Sequence, residues 1–149
     1  LNSAQPALYD RYYRPTGYTL ADVEQSAVEM SGRGKFVSLN YFVFPGVSDS
    51  PAEIDALSGL IERGSVDMIQ LRNLNIDPEM YLNELGDDAV EAPIGIVAFV
   101  HELRRRFEHL RFGYYNPAKT KYGRPGPLPG KDLMSLTGSD ARAPSANVV

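Results

Sequence analysis

Two stretches of the chain begin as apolar runs and turn polar toward their C-terminal ends. Lys35 to Gly46 (KFVSLNYFVFPG) carries Ser38 and Asn40 within its apolar run and closes on Phe44-Pro45-Gly46. Val66 to Asp77 (VDMIQLRNLNID) leads into Gln70, Arg72, Asn73, Asn75 and Asp77. Each predicts a buried strand. The segment between them carries helix signals: Ser50 as N-cap, Pro51 at the first helical position and Glu53 completing a capping box. Ile54, Leu57 and Ile61 form an apolar stripe, and Gly64 stops the helix. Strand, helix, strand at this spacing predicts a βαβ unit with parallel strands. Parallel α/β sheets and barrels hold ligands beyond the carboxyl ends of their strands, where these polar residues fall.

Side-chain parity assigns the faces. In a first strand from about Phe36 to Phe44, Val37, Leu39, Tyr41 and Val43 lie under helices. Ser38, Asn40, Phe42 and Phe44 face the barrel interior or cleft. In the second strand Ile69 and Leu71 share the helix face, while Met68, Gln70 and Arg72 join Ser38 and Asn40. A buried guanidinium without a partner costs several kcal/mol, so Arg72 requires an anion or water. Two arrangements satisfy it: an interior salt bridge to a carboxylate, or a clamp on an anionic ligand.

The flanking chain adds helices and one strand. Residues 1–18 predict a loop with one helical turn around Ala7 to Tyr12. Thr19 and Asp22 have capping-box spacing. Leu20, Val23, Ala27 and Met30 follow at helical intervals, and Gly32 and Gly34 end the element. A short helix runs from Pro78 to about Leu85, followed by an acidic loop (Gly86-Asp87-Asp88). A longer helix from about Pro93 to His109 places Ile96, Val97, Val100, Leu103 and Phe107 near one face. Arg111 to Tyr115 predicts a last short strand. From Asn116 onward the chain is rich in proline and glycine and poor in large apolar residues, which predicts a tail at 116–149.

Composition narrows the chemistry. A chain of 149 residues with a hydrophobic fraction of 43% fits one soluble domain with its own core. A net charge of −4 and an isoelectric point near 5.1 argue against nucleic acid as a partner. The basic cluster Arg104-Arg105-Arg106 fits a solvated helix C-terminus. No apolar run approaches the ~20 residues of a membrane span, and Leu1-Asn2-Ser3-Ala4-Gln5 lacks secretory-signal features, so a cytoplasmic location without membrane contact is expected. Cysteine is absent, which removes disulfides, thiolate nucleophiles and cysteine-held metals or clusters from this chain's own repertoire. His101 and His109, two turns apart, have no third ligand by motif. Walker, GxGxxG, HExxH and GxSxG motifs are lacking.

Three pieces, LNSAQ at 1–5, VSLNYFVFPGVSD at 37–49 and DMIQLRNLNIDP at 67–78, resemble the C-terminal half of a radical SAM enzyme core. The order of the pieces and the helices between them extends the resemblance over residues 1–115. It implies an α/β, parallel-stranded partial (β/α)6 barrel of the TIM type. In that family a [4Fe–4S] cluster and S-adenosylmethionine sit at the top of the strands, and reductive cleavage yields a 5′-deoxyadenosyl radical. By resemblance, Asn2 and Ser3 follow the fourth strand near the ribose or methionyl group. Lys35 to Phe44 is the fifth strand, which carries Asn40 on its cleft face, and Phe44-Pro45-Gly46 stands where a turn backs the adenine. Val66 to Asn73 is the sixth, with Gln70, Arg72, Asn73 and Asn75 approaching adenine or substrate. The CxxxCxxC loop and the GGE-like segment of the family belong to its N-terminal half and are missing here. The chain also begins without methionine, so a fragment of a longer protein is expected, with the N-terminal half as partner and a small molecule as substrate. The alternatives are a degenerate relative, a non-catalytic half-barrel interaction module without cofactor, or an unrelated TIM-barrel fragment whose Arg72 binds phosphate.

Overall fold

Ser50 and Pro51 start the helix that joins two parallel strands. The computed structural model describes residues 1–122. The strands β1 (Ser38–Val43) and β2 (Met68–Asn73) flank helix α3 (Pro51–Gly64), which follows α1 (Pro6–Tyr13) and α2 (Leu20–Gly32). Helix α4 (Pro78–Leu85), a 3-10 turn at Asp87–Ala89, α5 (Ile96–Arg106) and β3 (Arg111–Gly113) complete the order, and a further 3-10 turn spans Lys119–Lys121. All strand pairs are parallel, in the order β1-β2-β3. The fold is therefore α/β, with a three-stranded parallel sheet and surrounding helices.

The register places Asn40 beside Gln70 and Phe42 beside Arg72, so these four share the sheet face opposite Tyr41, Ile69 and Leu71. The helix face is the packed one. Tyr41, Leu57, Leu60, Ile61, Ile69, Phe99 and Leu103 are almost wholly buried there in one cluster. Each fully buried Leu or Ile stabilises by roughly 1.5–3 kcal/mol relative to exposure. A second cluster of Leu8, Val47, Tyr81, Leu85 and Ala89 lies under the loop after β1, with Phe44, Leu74 and Ile76 packed on it.

Leu1 adds one more parallel step. Its amine donates to Asn40 O at 2.7 Å, and Phe42 N donates to Leu1 O at 2.8 Å. That pair of bonds is the parallel-ladder pattern opposite Tyr41, on the outer side of β1.

Several expected details shift. The helical turn near Ala7 is a full helix, Pro6–Tyr13, closed by Arg14 in the left-handed conformation at φ 46°. Met30, at helical intervals with Leu20, Val23 and Ala27 in α2, is 45% exposed. Helix α5 starts at Ile96 rather than near Pro93, because Gly95 sits at φ 93°, outside helical space. Its buried face uses Phe99, Val100 and Leu103, while Val97 is 53% exposed. The first residues after Asn116 fold back: Asn116 binds Gln70 and the Tyr122 ring stacks on Phe36 at 4.4 Å. Of the segment expected as a tail, residues 123–149 lie outside the described residues. Among the described residues no helix is long and apolar enough to cross a membrane.

Candidate functional site

The carboxyl ends of β1 and β2, on the face away from the helices, border an open cavity of about 410 Å³. Asn40, Phe42, Arg72, Asn73, Asn75 and Tyr114 line it. Parity puts Asn40, Phe42 and Arg72 there, and the turn after β2 brings in Asn75. Among the described residues no lining residue is acidic and none is histidine.

Arg72 is held in place by neutral groups. Its Nη2 donates to Gln70 Oε1 at 2.8 Å, and its guanidinium lies 4.2 Å from the Tyr114 ring centroid. Gln70 is fixed in turn, since its Nε2 donates to Ser38 Oγ at 2.8 Å and to Asn116 Oδ1 at 2.6 Å. Both amide hydrogens are spent, so the oxygen must face Arg72. Among the described residues no carboxylate pairs with Arg72. Of the two arrangements the sequence allowed, the interior salt bridge is not formed among these residues.

A second polar assembly lies on the packed side. Glu53, in the first turn of α3 and 0% exposed, accepts four hydrogen bonds through its carboxylate. Ser3 Oγ donates at 2.5 Å, Ala4 N at 2.7 Å, Tyr41 Oη at 2.9 Å and Gln5 Nε2 at 3.2 Å. Burial nevertheless holds the Glu53 carboxyl above its ordinary value, because desolvation outweighs these bonds. Tyr41 is pushed well above the phenol range by burial first and by the Glu53 charge second. Asn2 is also wholly buried. Its Nδ2 reaches Leu8 O at 3.3 Å and Tyr81 Oη at 3.4 Å, while its Oδ1 has no partner among the described residues. Burial raises the Tyr81 hydroxyl to about 12, opposed by the Asn2 bond.

The loop after β1 is braced from beneath. Asp49, 1% exposed, accepts from Gly46 N at 2.6 Å and from Gly95 N at 2.8 Å. Gly46 adopts φ 93°, and a Cβ there would meet Val90 Cγ1 at 3.1 Å, so the turn excludes larger residues. Ser48 Oγ accepts from Phe44 N and donates to Phe42 O, closing the strand end.

The ten residues proposed from sequence thus separate into three groups. Asn40, Arg72, Asn73 and Asn75 line the cavity, with Gln70 directly behind Arg72. Phe44, Pro45 and Gly46 follow β1 and do not line the cavity; the Phe44 ring packs on Tyr81 at 4.8 Å in the second apolar cluster. Asn2 and Ser3 are buried in the hydrogen-bonded layer on α1 and α3 rather than in the cavity. Tyr114 was read only as part of a short strand; it comes from beyond β3 and no local signal marks it as a cavity residue. Glu53 was read as a local capping residue. The cap is half formed, with Ser50 Oγ accepting from Glu53 N, while the Glu53 carboxylate turns to residues 3–5 and Tyr41.

The cavity can bind and orient through its amides, its aromatic rings and Arg72. Among the described residues no group of three His, Cys, Asp or Glu is placed to hold a metal ion. His101 and His109 are exposed, and His109 packs edge-on to Phe107. No protein-family model matches the chain, and no curated protein matches it in sequence.

Proposed function

We propose that the chain is the C-terminal half of a cytoplasmic radical SAM barrel, supplying the adenosine wall for S-adenosylmethionine and part of the substrate pocket. The observation that carries this reading is the polar cavity at the carboxyl ends of β1 and β2, on the face of a parallel sheet opposite the helices. In a partial TIM-type barrel that face is the interior. The step at Leu1 supports it, since its parallel pairing on the outer side of β1 is where a preceding barrel strand runs.

The donor set does not fit the iron–sulfur cluster. The chain has no cysteine, so cluster ligands must come from outside these residues and no step through the cluster is assigned to them. The cavity suits the nucleoside better. Phe42 and Tyr114 offer ring surface, and the side-chain amides of Asn40, Asn73 and Asn75 offer donors and acceptors for a base or ribose. When bound with its cluster, S-adenosylmethionine supplies reductive carbon–sulfur cleavage; the work of this chain is to hold and orient. Asp49 ties the turn at Gly46 to Gly95 through two hydrogen bonds, which supports a fixed wall there.

The zero cysteine count favours a second reading, a half-barrel that pairs with another polypeptide and binds no cofactor. Coding sequence immediately upstream separates the two. Cysteines at CxxxCxxC spacing, together with 5′-deoxyadenosine formation by the longer protein under reducing, anaerobic conditions, are the expected result. An upstream sequence without them would sink the enzymatic reading.

A further inference from the structure

We propose that the Arg72 cavity is a receptor for the anionic end of a small organic ligand, a carboxylate or phosphate group bound by the guanidinium fork. This deepens the reading above by naming the ligand class of the same cavity, and it rests on that reading only for the identity of the remaining pocket.

Four observations converge. First, the cation is oriented before any ligand arrives: Gln70 takes one Nη2 hydrogen, and the Tyr114 ring covers one face of the guanidinium plane. Arginine carries five N–H donors in a fixed fork, so most remain for a ligand. Second, the residue that aims Arg72 is neutral and is itself fixed by Ser38 and Asn116. A carboxylate in that place would satisfy the charge internally; a carboxamide fixes direction, and among the described residues no carboxylate pairs with Arg72. Third, no described residue lining the cavity is acidic, although the chain as a whole carries a net charge of −4. Fourth, Asn40, Asn73 and Asn75 lie around the same opening, and neutral amides can donate to further oxygens of the ligand without competing for Arg72.

The fork accepts two oxygens in parallel, which both carboxylate and phosphate provide. The two sources differ in charge and in the number of oxygens, so paired probes distinguish them. The test follows the Arg72 Nε–H and Tyr114 ring signals of the 149-residue chain by NMR during titration with sodium acetate and, separately, with methyl phosphate. A saturable shift at both signals is expected with at least one probe, and the probe that saturates at lower concentration identifies the group. Arg72→Gln should weaken binding about tenfold or more, and Arg72→Lys should fall between, having the charge but not the fork. Gln70→Glu should produce a similar loss by giving the guanidinium an internal carboxylate; it serves as the second variant if Arg72→Gln does not fold. Arg105→Gln, on the outer face of α5, should bind as the unmodified chain does. No saturable shift with either probe, or the same titration in Arg72→Gln and Gln70→Glu as in the unmodified chain, would overturn the proposal. The titration uses no cofactor, so its failure leaves 5′-deoxyadenosine formation by the longer protein as a separate question, and the converse also holds.

Discussion

The Tyr41 hydroxyl donates to Glu53 Oε1 at 2.9 Å, joining the centre of β1 to the first turn of α3 in a fully buried contact. The same carboxylate receives Ser3, Ala4 and Gln5, so one side chain ties the N-terminal segment, a strand and a helix together. That segment could not hold its path to α1 through apolar packing alone, since Asn2, Ser3 and Gln5 are polar.

Removing the partners of this contact should have unequal effects. Tyr41→Phe deletes one of the four donors and leaves Glu53 with three, at a cost of about 1–2 kcal/mol. Glu53→Ala strands all four donors and opens a cavity, at a cost of about 3 kcal/mol or more. Urea unfolding of both variants measures this; equal losses would mean that Glu53 contributes little beyond its bond to Tyr41.

The same group sets a pH dependence. Burial raises the folded Glu53 carboxyl above its ordinary 4.5. A raised acid favours folding most when protonated, so its contribution is complete below pH 4.5 and declines as pH rises through the folded value. Glu53→Gln lacks that decline. The stability advantage of the unmodified chain over Glu53→Gln should therefore be largest at acid pH and narrow toward neutrality in urea titrations. A gap widening with rising pH would reverse the assigned direction.

These groups mark the limit of what the sequence discloses. The helix α3, its start at Ser50-Pro51, and the faces of β1 and β2 follow from local patterns: caps, alternation and turn residues. Asn40, Arg72, Asn73 and Asn75 meet because parity and register bring them together, and both are local properties of the two strands. The capping position of Glu53 explains its presence locally, so nothing near it in sequence indicates its contacts at residues 3–5. Tyr114 reaches the cavity only because β3 pairs with β2, so nothing near it in sequence indicates its place. Met30 and Val97 share the helical spacing of their apolar neighbours yet are exposed, since spacing cannot say how far round a helix the neighbouring element extends.

Asp49 should be costly to replace although it touches no cavity atom. Its two oxygens accept from Gly46 N and Gly95 N, linking the turn after β1 to the start of α5. Asp49→Ala leaves the buried Gly46 N–H unpaired and releases the Gly95 N–H to water, for a loss of about 1–3 kcal/mol. Amide exchange at Gly46 and Gly95 should accelerate in this variant even where the chain remains folded. Unchanged protection there would show that the turn holds its shape without Asp49.

The edges of the sheet have a consequence for solution behaviour. Among the described residues the sheet ends at β1 and β3, and Leu1 pairs with the outer side of β1 at a single step. Unpaired parallel edges invite association. Sedimentation of the isolated 149-residue chain should show mass rising with concentration, and a longer protein carrying the upstream half should not. A monodisperse monomer for the isolated chain would count against a missing strand on β1.

Turnover gives the sharpest comparison of the two arginines. Arg72 stands in the cavity against Tyr114, whereas Arg105 pairs with Glu102 at 2.7 Å on the solvent face of α5 with its side chain 71% exposed. An exposed pair of that kind contributes little. In a longer protein that forms 5′-deoxyadenosine, Arg72→Ala should lower binding or turnover by roughly tenfold or more, the loss expected for one charge-assisted fork. Arg105→Ala should leave both nearly unchanged. The cysteine-free chain alone should form no 5′-deoxyadenosine after iron–sulfur reconstitution, since it has no thiolate with which to hold the cluster. It should bind S-adenosylmethionine weakly, because a cavity open on one side buries only part of a ligand. Equal effects of the two arginine variants would place Arg72 outside the site, and product formed by the isolated chain would refute the division of labour between the two halves.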